Sequence, residues 1–235
     1  MINPNNPTGA LYPDSTLSAL VEIARKHRLV LCADEIYDKM LYDGARHTAL
    51  ASLSDDVLTL TFGGLSKNYR ACGYRTGWMF LSGDKRGAED YIEGLNILAS
   101  MRLCPNVTGQ FAIQSALGGY QSIEDLVGES GRLCRQRDVA YKRISAIPGV
   151  SVVKPQAALY LFARLDPQVY PYETDTNFIL DLLNQEKVLL VQGSGFNWPD
   201  PHYFRLAFLP HEDDLQEAVG RIERYLSGAR QRLAV

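Results

Sequence analysis

LTLTFGGLSKNYRACGYRTGWMFL, residues 58–81, is the segment from which the fold of this chain can be inferred. Apolar residues alternate with threonine over its first five positions, which predicts a β-strand. Gly63 and Gly64 end this pattern and let the backbone approach a neighbouring group closely. A second apolar run, Trp78–Leu81, predicts another strand. Ser66 and the following lysine therefore lie where the chain leaves a buried strand.

Lys67 and Arg75, both between these two strands, allow two interpretations. A lysine is rarely buried without a partner, so Lys67 could lie on a solvated loop with Arg75 as a surface charge. Alternatively, Lys67 could form a Schiff base while Arg75 holds an anion such as a phosphate. The segment by itself leaves both interpretations open, and the remaining chain has to decide between them.

The composition is that of an ordinary globular protein, with 46% hydrophobic and 22% charged residues among 235. A net charge of −3 gives no reason to expect nucleic acid or an anionic membrane as a partner. No apolar run approaches the ~20 residues of a membrane span. The cysteines form no C-x-x-C pair, which favours reduced thiols in a cytoplasmic protein: Cys32, Cys72, Cys104 and Cys134. The histidines lack the spacing of a zinc site.

Strands and helices alternate in the first half of the chain. A helix with Leu17, Val21 and Ala24 on one face precedes the continuous apolar run 29–33, which is typical of a strand buried on both faces. This order predicts a mostly parallel sheet with crossover helices. Ligands collect beyond the carboxyl ends of such strands. Asp34 and Lys67 both follow strands at this end.

The pattern of predicted elements changes near Pro148, where strands become short and separated by turns. We expect residues 1–122 to form one α/β domain, residues 123–147 a long connecting helix, and residues 148–235 a smaller C-terminal α+β domain.

Seven polar residues supply the groups that a Schiff-base enzyme using pyridoxal phosphate requires. Such an enzyme needs a lysine for the aldehyde, a cation for the phosphate, a carboxylate against the ring nitrogen and donors for the ring hydroxyl. The candidates are Asn6, Asp34, Tyr37, Ser66, Lys67, Arg75 and Arg205.

Three motifs in this order resemble class I aminotransferases of the aspartate aminotransferase fold: N-P-N-N-P-T-G, A-D-E-I-Y and S-K-N-Y-R with G-Y-R-T-G-W. The resemblance covers the whole chain. It is closest to bacterial alanine (glutamate–pyruvate) transaminases in I-E-G-L-N-I-L-A-S-M-R-L-C, A-L-G-G-Y-Q-S-I and E-K-V-L-L-V-Q-G-S-G-F-N-W-P. It implies the type I fold of pyridoxal phosphate enzymes, with residues 1–122 as the C-terminal part of the cofactor-binding large domain.

The resemblance assigns the chemistry to three residues. Lys67 would carry the aldimine with pyridoxal 5'-phosphate and shuttle a proton between the substrate Cα and the cofactor. Asp34 would pair with the pyridinium nitrogen. Tyr37 would hydrogen-bond the ring hydroxyl.

The resemblance also assigns binding roles. Asn6 would hydrogen-bond the ring hydroxyl together with Tyr37 and would also contact the substrate. Arg75 would bind the phosphate, with assistance from Ser66. Arg205 would grip the substrate α-carboxylate as a bidentate fork, which suits arginine better than lysine.

The sequence departs from the family pattern in three places. Gly64 stands where many relatives have serine, so one phosphate hydroxyl could be missing. Ala157 stands where many have glycine, and its methyl group could narrow the pocket. The chain resembles only a little more than the C-terminal half of a full enzyme. Without the N-terminal gate, the glycine-rich phosphate loop and the ring-stacking aromatic, we expect this chain alone not to be a competent transaminase.

The resemblance implies transamination between alanine, or a similar amino acid, and 2-oxoglutarate to give pyruvate and glutamate, in a cytoplasmic enzyme whose full-length form is a homodimer. A β-lyase or decarboxylase using the same cofactor is the nearest alternative. A non-catalytic fragment or pyridoxal phosphate-binding module is another. A nucleoside triphosphatase is disfavoured because G-G-L-S-K is not a P-loop.

Overall fold

The structure, a computed structural model, describes residues 1–233 and divides them into two compact units. The first unit combines residues Met1–Pro4 with Leu11–Glu124, and the second combines Asn5–Ala10 with the chain from Asp125 onwards. Residues 5–10 thus cluster with the second unit, although the sequence analysis placed them in the first domain.

The first unit begins its regular structure with a helix whose apolar face is buried. Leu17, Val21 and Ala24 are buried on this helix, and basic residues occupy its last turn, where they complement the helix dipole. The elements of this unit are α1 (Asp14–His27), β1 (Leu31–Asp34), β2 (Thr59–Gly64), β3 (Gly77–Ser82), α2 (Glu89–Arg102) and α3 (Val107–Gly118).

The three strands form one mixed sheet in the order β1-β2-β3. β1 and β2 are parallel, with Asp34 opposite Phe62, whereas β2 and β3 are antiparallel, with Gly64 opposite Gly77. The expectation of a mostly parallel sheet is therefore wrong for β3. The loop after β2 folds back on itself, because Leu65 N donates to Thr76 O over 3.1 Å. Its two ends meet at one edge, which makes the flanking strands antiparallel.

One core cluster of the first unit lies between α1, β1 and the segment that precedes β2. Its buried members are Leu17, Val21, Ala24, Ala33, Leu50 and Val57. By contrast, α2 has no buried residue within this unit, and Leu98 and Met101 are 64% and 73% exposed. The apolar side of α2 is thus not part of this core.

The second unit contains an antiparallel sheet in the order β4-β5-β7-β6, covered by helices. Phe204 on one strand and Ile144 and Ile222 on two of the helices are fully buried. Its elements, with the short helix that leads into it, are α4 (Ile123–Val127), α5 (Arg132–Ser145), β4 (Val150–Val152), β5 (Tyr160–Leu165), α6 (Asp175–Glu186), β6 (Val191–Gln192), β7 (Tyr203–Ala207) and α7 (Glu212–Leu233).

The single connecting helix expected over residues 123–147 is wrong. Helix α4 ends at Val127 and α5 begins at Arg132. Between them, Gly131 N donates to Gly128 O over 2.7 Å in a tight turn. A Cβ on Gly131 would lie 2.3 Å from Leu126 O, so the turn requires glycine at this position.

No helix of the described part of the chain combines the length and the apolar character needed to cross a membrane.

Gly9 provides a test of the packing in the second unit. Its φ is +68°, and an added Cβ would lie 2.5 Å from Pro155 Cβ and 2.9 Å from Tyr160 O. We expect Gly9→Ala to lower the free energy of unfolding by about 2–4 kcal/mol, from left-handed backbone strain and overpacking. Urea denaturation followed by circular dichroism measures this loss.

Gly44→Ala is the matched control, since Gly44 has a φ of +72° and nothing within 4 Å of an added Cβ. It carries only the backbone strain, about 1–2 kcal/mol. Equal losses in the two variants would contradict the tight packing around Gly9.

Candidate active site

Asp34 is the last residue of β1, and main-chain bonds hold it on both sides. Its N–H donates to Met1 O over 2.9 Å, and its carbonyl accepts from Asn3 N over 3.0 Å. Its side-chain Oδ1 accepts from Ile36 N over 3.1 Å and so caps the turn that follows. The carboxylate therefore stands at the carboxyl end of the strand, as the sequence predicted.

Lys67 lies in the loop after β2, and the backbone of this loop is fixed by three hydrogen bonds. Arg70 N donates to Lys67 O over 3.0 Å, while Leu65 bonds Thr76 through its N–H and Ala71 through its carbonyl. The Lys67 side chain is partly buried. Among the described residues it has no hydrogen-bond or ion-pair partner, and the same holds for Ser66. A partly buried amine without a partner is available for chemistry.

Tyr37 is 3% exposed and lies in the turn that follows β1. Two main-chain bonds shape this turn: Asp38 N donates to Glu35 O over 3.0 Å, and Met40 N donates to Tyr37 O over 2.8 Å. Glu35 N in turn donates to Phe62 O of β2 over 3.0 Å. The Tyr37 turn is thus tied to the strand that leads to Lys67.

Arg75 is exposed and has a left-handed backbone with φ 48°. Its Nη1 donates to Cys72 O over 2.7 Å, which anchors the guanidinium at one corner. Within the described residues Arg75 has no carboxylate partner. Its remaining N–H groups can therefore bind an anion.

The two glycines before Lys67 lie close to β3. A Cβ on Gly63 would lie 2.5 Å from Trp78 Nε1, and one on Gly64 would lie 3.2 Å from Thr76 O. A serine at Gly64, as in many relatives of the family that the motifs resemble, would require its neighbours to shift. The close packing of Gly64 against β3 therefore disfavours a serine, with its hydroxyl, at this position.

Arg205, in the second unit, lies on β7 opposite Phe162 and Val191. Its guanidinium carbon is 4.3 Å from the Tyr160 ring centroid and 4.7 Å from that of Phe196. These cation–π contacts fix the plane of the guanidinium.

Asn6 belongs to the same unit and accepts a hydrogen bond from Arg205 Nη1 through its Oδ1 over 2.7 Å. The Nε of Arg205 is buried and has no hydrogen-bond partner in the part of the chain that the structure describes. An unsatisfied buried donor is costly, so a ligand that accepts from this Nε would be favoured.

Tyr160 and Phe196 were missed by the sequence analysis. Tyr160 could have been found from its place on the strand beside β7, where aromatic side chains can reach neighbours on the adjacent strand. Phe196 lies in a short helical turn, Gly193–Phe196, and carries no comparable signal.

Residues 1–222 match the family model described as aminotransferase class I and II. The chain belongs to the class I and II aminotransferase family. The expected α/β fold of the type I enzymes is thereby confirmed, and so is the recognition based on the three motifs. Pyridoxal 5'-phosphate is the cofactor of this family.

Two curated relatives and one solved structure illustrate the similarity within the aminotransferases. The alanine aminotransferase of Mycobacterium bovis is 57% identical over 231 residues, covering 98% of this chain and 54% of that protein. The glutamate–pyruvate aminotransferase AlaA of Escherichia coli K12 is 55% identical, covering 98% and 57%. A crystal structure of an Escherichia coli aminotransferase has a TM-score of 0.95 and 55% identity, covering 97% of this chain and 56% of that one.

The chain therefore spans about half the length of the curated aminotransferases that it matches.

The side chains of the first unit fit the cofactor of the family. Lys67 offers an amine without a partner, Asp34 a carboxylate at the adjacent strand end, and Arg75 a guanidinium without an acidic partner among the described residues. The donor set thus matches an aldehyde, a protonated ring nitrogen and a phosphate.

Glu35, next to Asp34, gives a prediction on pH dependence. It is 8% exposed, its Oε1 accepts from Leu50 N over 2.9 Å, and burial raises the pKa of its carboxyl. A raised folded pKa means that the fold favours the protonated form, so the free energy of unfolding falls as pH rises from about 4.5 through the folded pKa. Glu35→Gln keeps the acceptor oxygen and removes the titration.

We expect Glu35→Gln to gain stability relative to the unsubstituted protein as pH rises from about 4 to 8, measured by urea denaturation at each pH. Glu93→Gln, at an exposed position on α2, is the control and should follow the unsubstituted protein. A constant difference between Glu35→Gln and the unsubstituted protein at every pH would contradict the burial argument.

Proposed function

We propose that this protein is a pyridoxal phosphate-dependent aminotransferase that moves the amino group of alanine to 2-oxoglutarate, giving pyruvate and glutamate. The observation that carries the proposal is the pairing of β1 with β2. It brings the Asp34 carboxylate to the same end of the sheet as the loop of Lys67, whose amine has no partner among the described residues. The names of the curated relatives, alanine and glutamate–pyruvate aminotransferase, support the choice of substrates.

Lys67 has two roles in this proposal. Its amine would hold the cofactor through the aldehyde, with loss of water, and, once the substrate amine has replaced it, the free amine would carry the proton that leaves the substrate Cα. Bound pyridoxal phosphate supplies an electron-accepting ring that stabilises negative charge at this carbon. The three main-chain bonds of the Lys67 loop fix the backbone from which the amine extends.

Asp34 and Tyr37 set the charge and orientation of the ring. The Asp34 carboxylate would keep the ring nitrogen protonated, and the Tyr37 hydroxyl would donate to the ring oxygen. Both residues are on the short segment 34–37, in which Asp34 ends β1 and caps the following turn through Ile36 N. The segment therefore presents both groups on a rigid backbone.

Arg75 and Ser66 bind the phosphate in this proposal. Arg75 is anchored by its bond to Cys72 O, so its free N–H groups are oriented before the phosphate arrives. The Ser66 hydroxyl has no partner among the described residues and can donate to a phosphate oxygen.

Arg205 and Asn6 bind the substrate. The planar guanidinium of Arg205 would bind the α-carboxylate through two hydrogen bonds. One of them would come from the buried Nε, which has no acceptor among the described residues. Asn6 holds Nη1 through its Oδ1, which leaves its own amide N–H groups for the ring oxygen or the substrate. Ala157, which is fully buried, would limit the room for the substrate side chain.

We also propose that the active protein is a homodimer in the cytoplasm. The cysteines of the described chain are all free thiols, which supports a reducing compartment.

Product analysis tests the proposal. The chain is co-expressed with a segment that supplies the N-terminal part of the enzyme, loaded with pyridoxal phosphate and incubated with alanine and 2-oxoglutarate, and pyruvate, glutamate and ammonia are quantified. We expect pyruvate and glutamate in equal amounts, none from Lys67→Ala, and no ammonia. Ammonia without glutamate would identify a lyase instead, and the absence of any product would contradict the proposed function.

Asp34→Asn separates charge from structure. The asparagine Oδ1 can still accept from Ile36 N, so folding and the melting temperature should be unchanged. Loss of the charge should lower kcat by about 100-fold or more, as for other preorganised electrostatic groups. Steady-state kinetics measures the effect, and unchanged turnover with full cofactor content would exclude this role for Asp34.

Arg205→Lys replaces the fork by a point charge. We expect a higher KM for every amino acid tested, by about 10-fold or more, since the bidentate bond and the aromatic contacts are lost. Arg164→Lys is the control: Arg164 lies on the neighbouring strand β5 and bonds Asp200, so KM should not change. A defect restricted to dicarboxylic amino acids would instead assign Arg205 to the distal carboxylate.

A further inference from the structure

The turn that carries Tyr37 and the turn that carries Lys67 are joined by their next residues. Asp38, which follows Tyr37, accepts a hydrogen bond at Oδ1 from Nδ2 of Asn68, which follows Lys67, over 2.5 Å. Neither Asp38 nor Asn68 was a candidate in the sequence analysis. The bond connects segments from two different strands, so it restrains the position of one turn relative to the other.

A second link lies one residue further along each turn. Lys39 Nζ is 3.3 Å from the Tyr69 hydroxyl and 5.5 Å from the centroid of its ring. Lys39 Nζ also donates to Gln121 Oε1 over 2.5 Å, and Gln121 donates in turn to two main-chain carbonyls. Two parallel links between the same two turns leave little freedom for the turns to slide.

The side-chain amide of Asn68 is buried with only part of its hydrogen-bonding capacity used. Asn68 is 5% exposed, and its Oδ1 is buried with no hydrogen-bond partner among the described residues. Rotating the amide would satisfy neither end, because Nδ2 is needed as the donor to the Asp38 carboxylate. Leucine has nearly the same shape and would carry no unsatisfied polar atom of its own, although Asp38 would lose its donor. The amide at this position is therefore explained by its bond to Asp38.

We propose that Asp38 and Asn68 are positioning residues: their bond sets the relative placement of the Tyr37 hydroxyl and the Lys67 amine. This inference rests on the proposed function, since it assigns a role to the spacing of those two groups. Asp38 and Asn68 themselves touch neither substrate nor cofactor in this proposal. Charge-assisted hydrogen bonds are among the stronger ones and suit a restraint of this kind.

The variants are chosen to break or to keep the bond. Asn68→Leu removes the donor and Asp38→Ala removes the acceptor, whereas Asp38→Asn keeps an oxygen that can accept from Nδ2. The control is Gln136→Leu in the second unit. Gln136 is also a fully buried amide whose Oε1 has no hydrogen-bond partner among the described residues, and its Nε2 donates to Pro210 O. This control reproduces the loss of a buried amide without touching either turn.

Hydrogen exchange followed by mass spectrometry, without cofactor, is the first measurement. Asn68→Leu should speed exchange of residues 35–40, and Asp38→Ala should speed exchange of residues 65–70, each about 10-fold, as expected for a charge-assisted bond. Asp38→Asn and Gln136→Leu should leave both segments unchanged. Acceleration restricted to the turn that carries the substitution would overturn the inference.

The second measurement is the pH titration of the absorbance that pyridoxal phosphate acquires on reaction with the protein. Both bond-breaking variants should shift the midpoint of this titration, and Asp38→Asn should restore it. An unshifted midpoint in the bond-breaking variants would overturn the positioning role even if exchange changes. If the unsubstituted protein acquires no such absorbance, the proposed function fails, and hydrogen exchange alone decides whether the two turns are coupled.

Discussion

Parallel pairing of β1 with β2 is the constraint on which the first unit depends. Main-chain bonds place Asp34 opposite Phe62, and Glu35 N extends the ladder to Phe62 O over 3.0 Å. Because the carboxyl ends of parallel strands lie at the same edge of a sheet, the groups that follow the two strands converge without any side-chain contact between them. The Asp38–Asn68 bond then restrains the two turns beyond the point where the ladder ends. Backbone pairing thus provides the coarse placement, and a side-chain bond refines it.

A different constraint organises the candidate substrate site of the second unit. The Arg205 guanidinium lies over the rings of Tyr160 and Phe196, and its Nη1 bonds Asn6. These contacts remove rotamer freedom from a long side chain, so less entropy is lost when a carboxylate binds. The buried Nε has no hydrogen-bond partner among the described residues, which is unfavourable in free energy. A carboxylate that accepts from this Nε would remove that penalty.

The sequence allowed much of this to be predicted, since strand ends and chemically distinctive side chains are local features. Asp34 and Lys67 were both predicted at carboxyl ends, and the family was recognised from three motifs. The direction of β3 was missed because it depends on the bond between Leu65 and Thr76 inside the loop, which apolar patterning does not encode. The break after Val127 was missed although Gly128 and Gly131, which disfavour a helix, lie between α4 and α5.

The remaining features depend on contacts between residues far apart in the sequence. The bond between Asn6 and Arg205 joins opposite ends of the chain, and only the folded second unit brings these residues together. The Asp38–Asn68 bond follows from the register of β1 and β2, which cannot be read from either strand by itself. Pattern and propensity describe single elements, whereas both bonds require a tertiary arrangement.

Borohydride reduction of the protein after incubation with pyridoxal phosphate, followed by peptide mapping, tests the central claim most directly. The reduction fixes the cofactor on whichever lysine has reacted with its aldehyde. The account predicts the modification on Lys67 alone, because its amine is partly buried and has no partner among the described residues, at the strand end shared with Asp34. Modification of Lys39 or Lys85, or labelling spread over several lysines, would contradict the account.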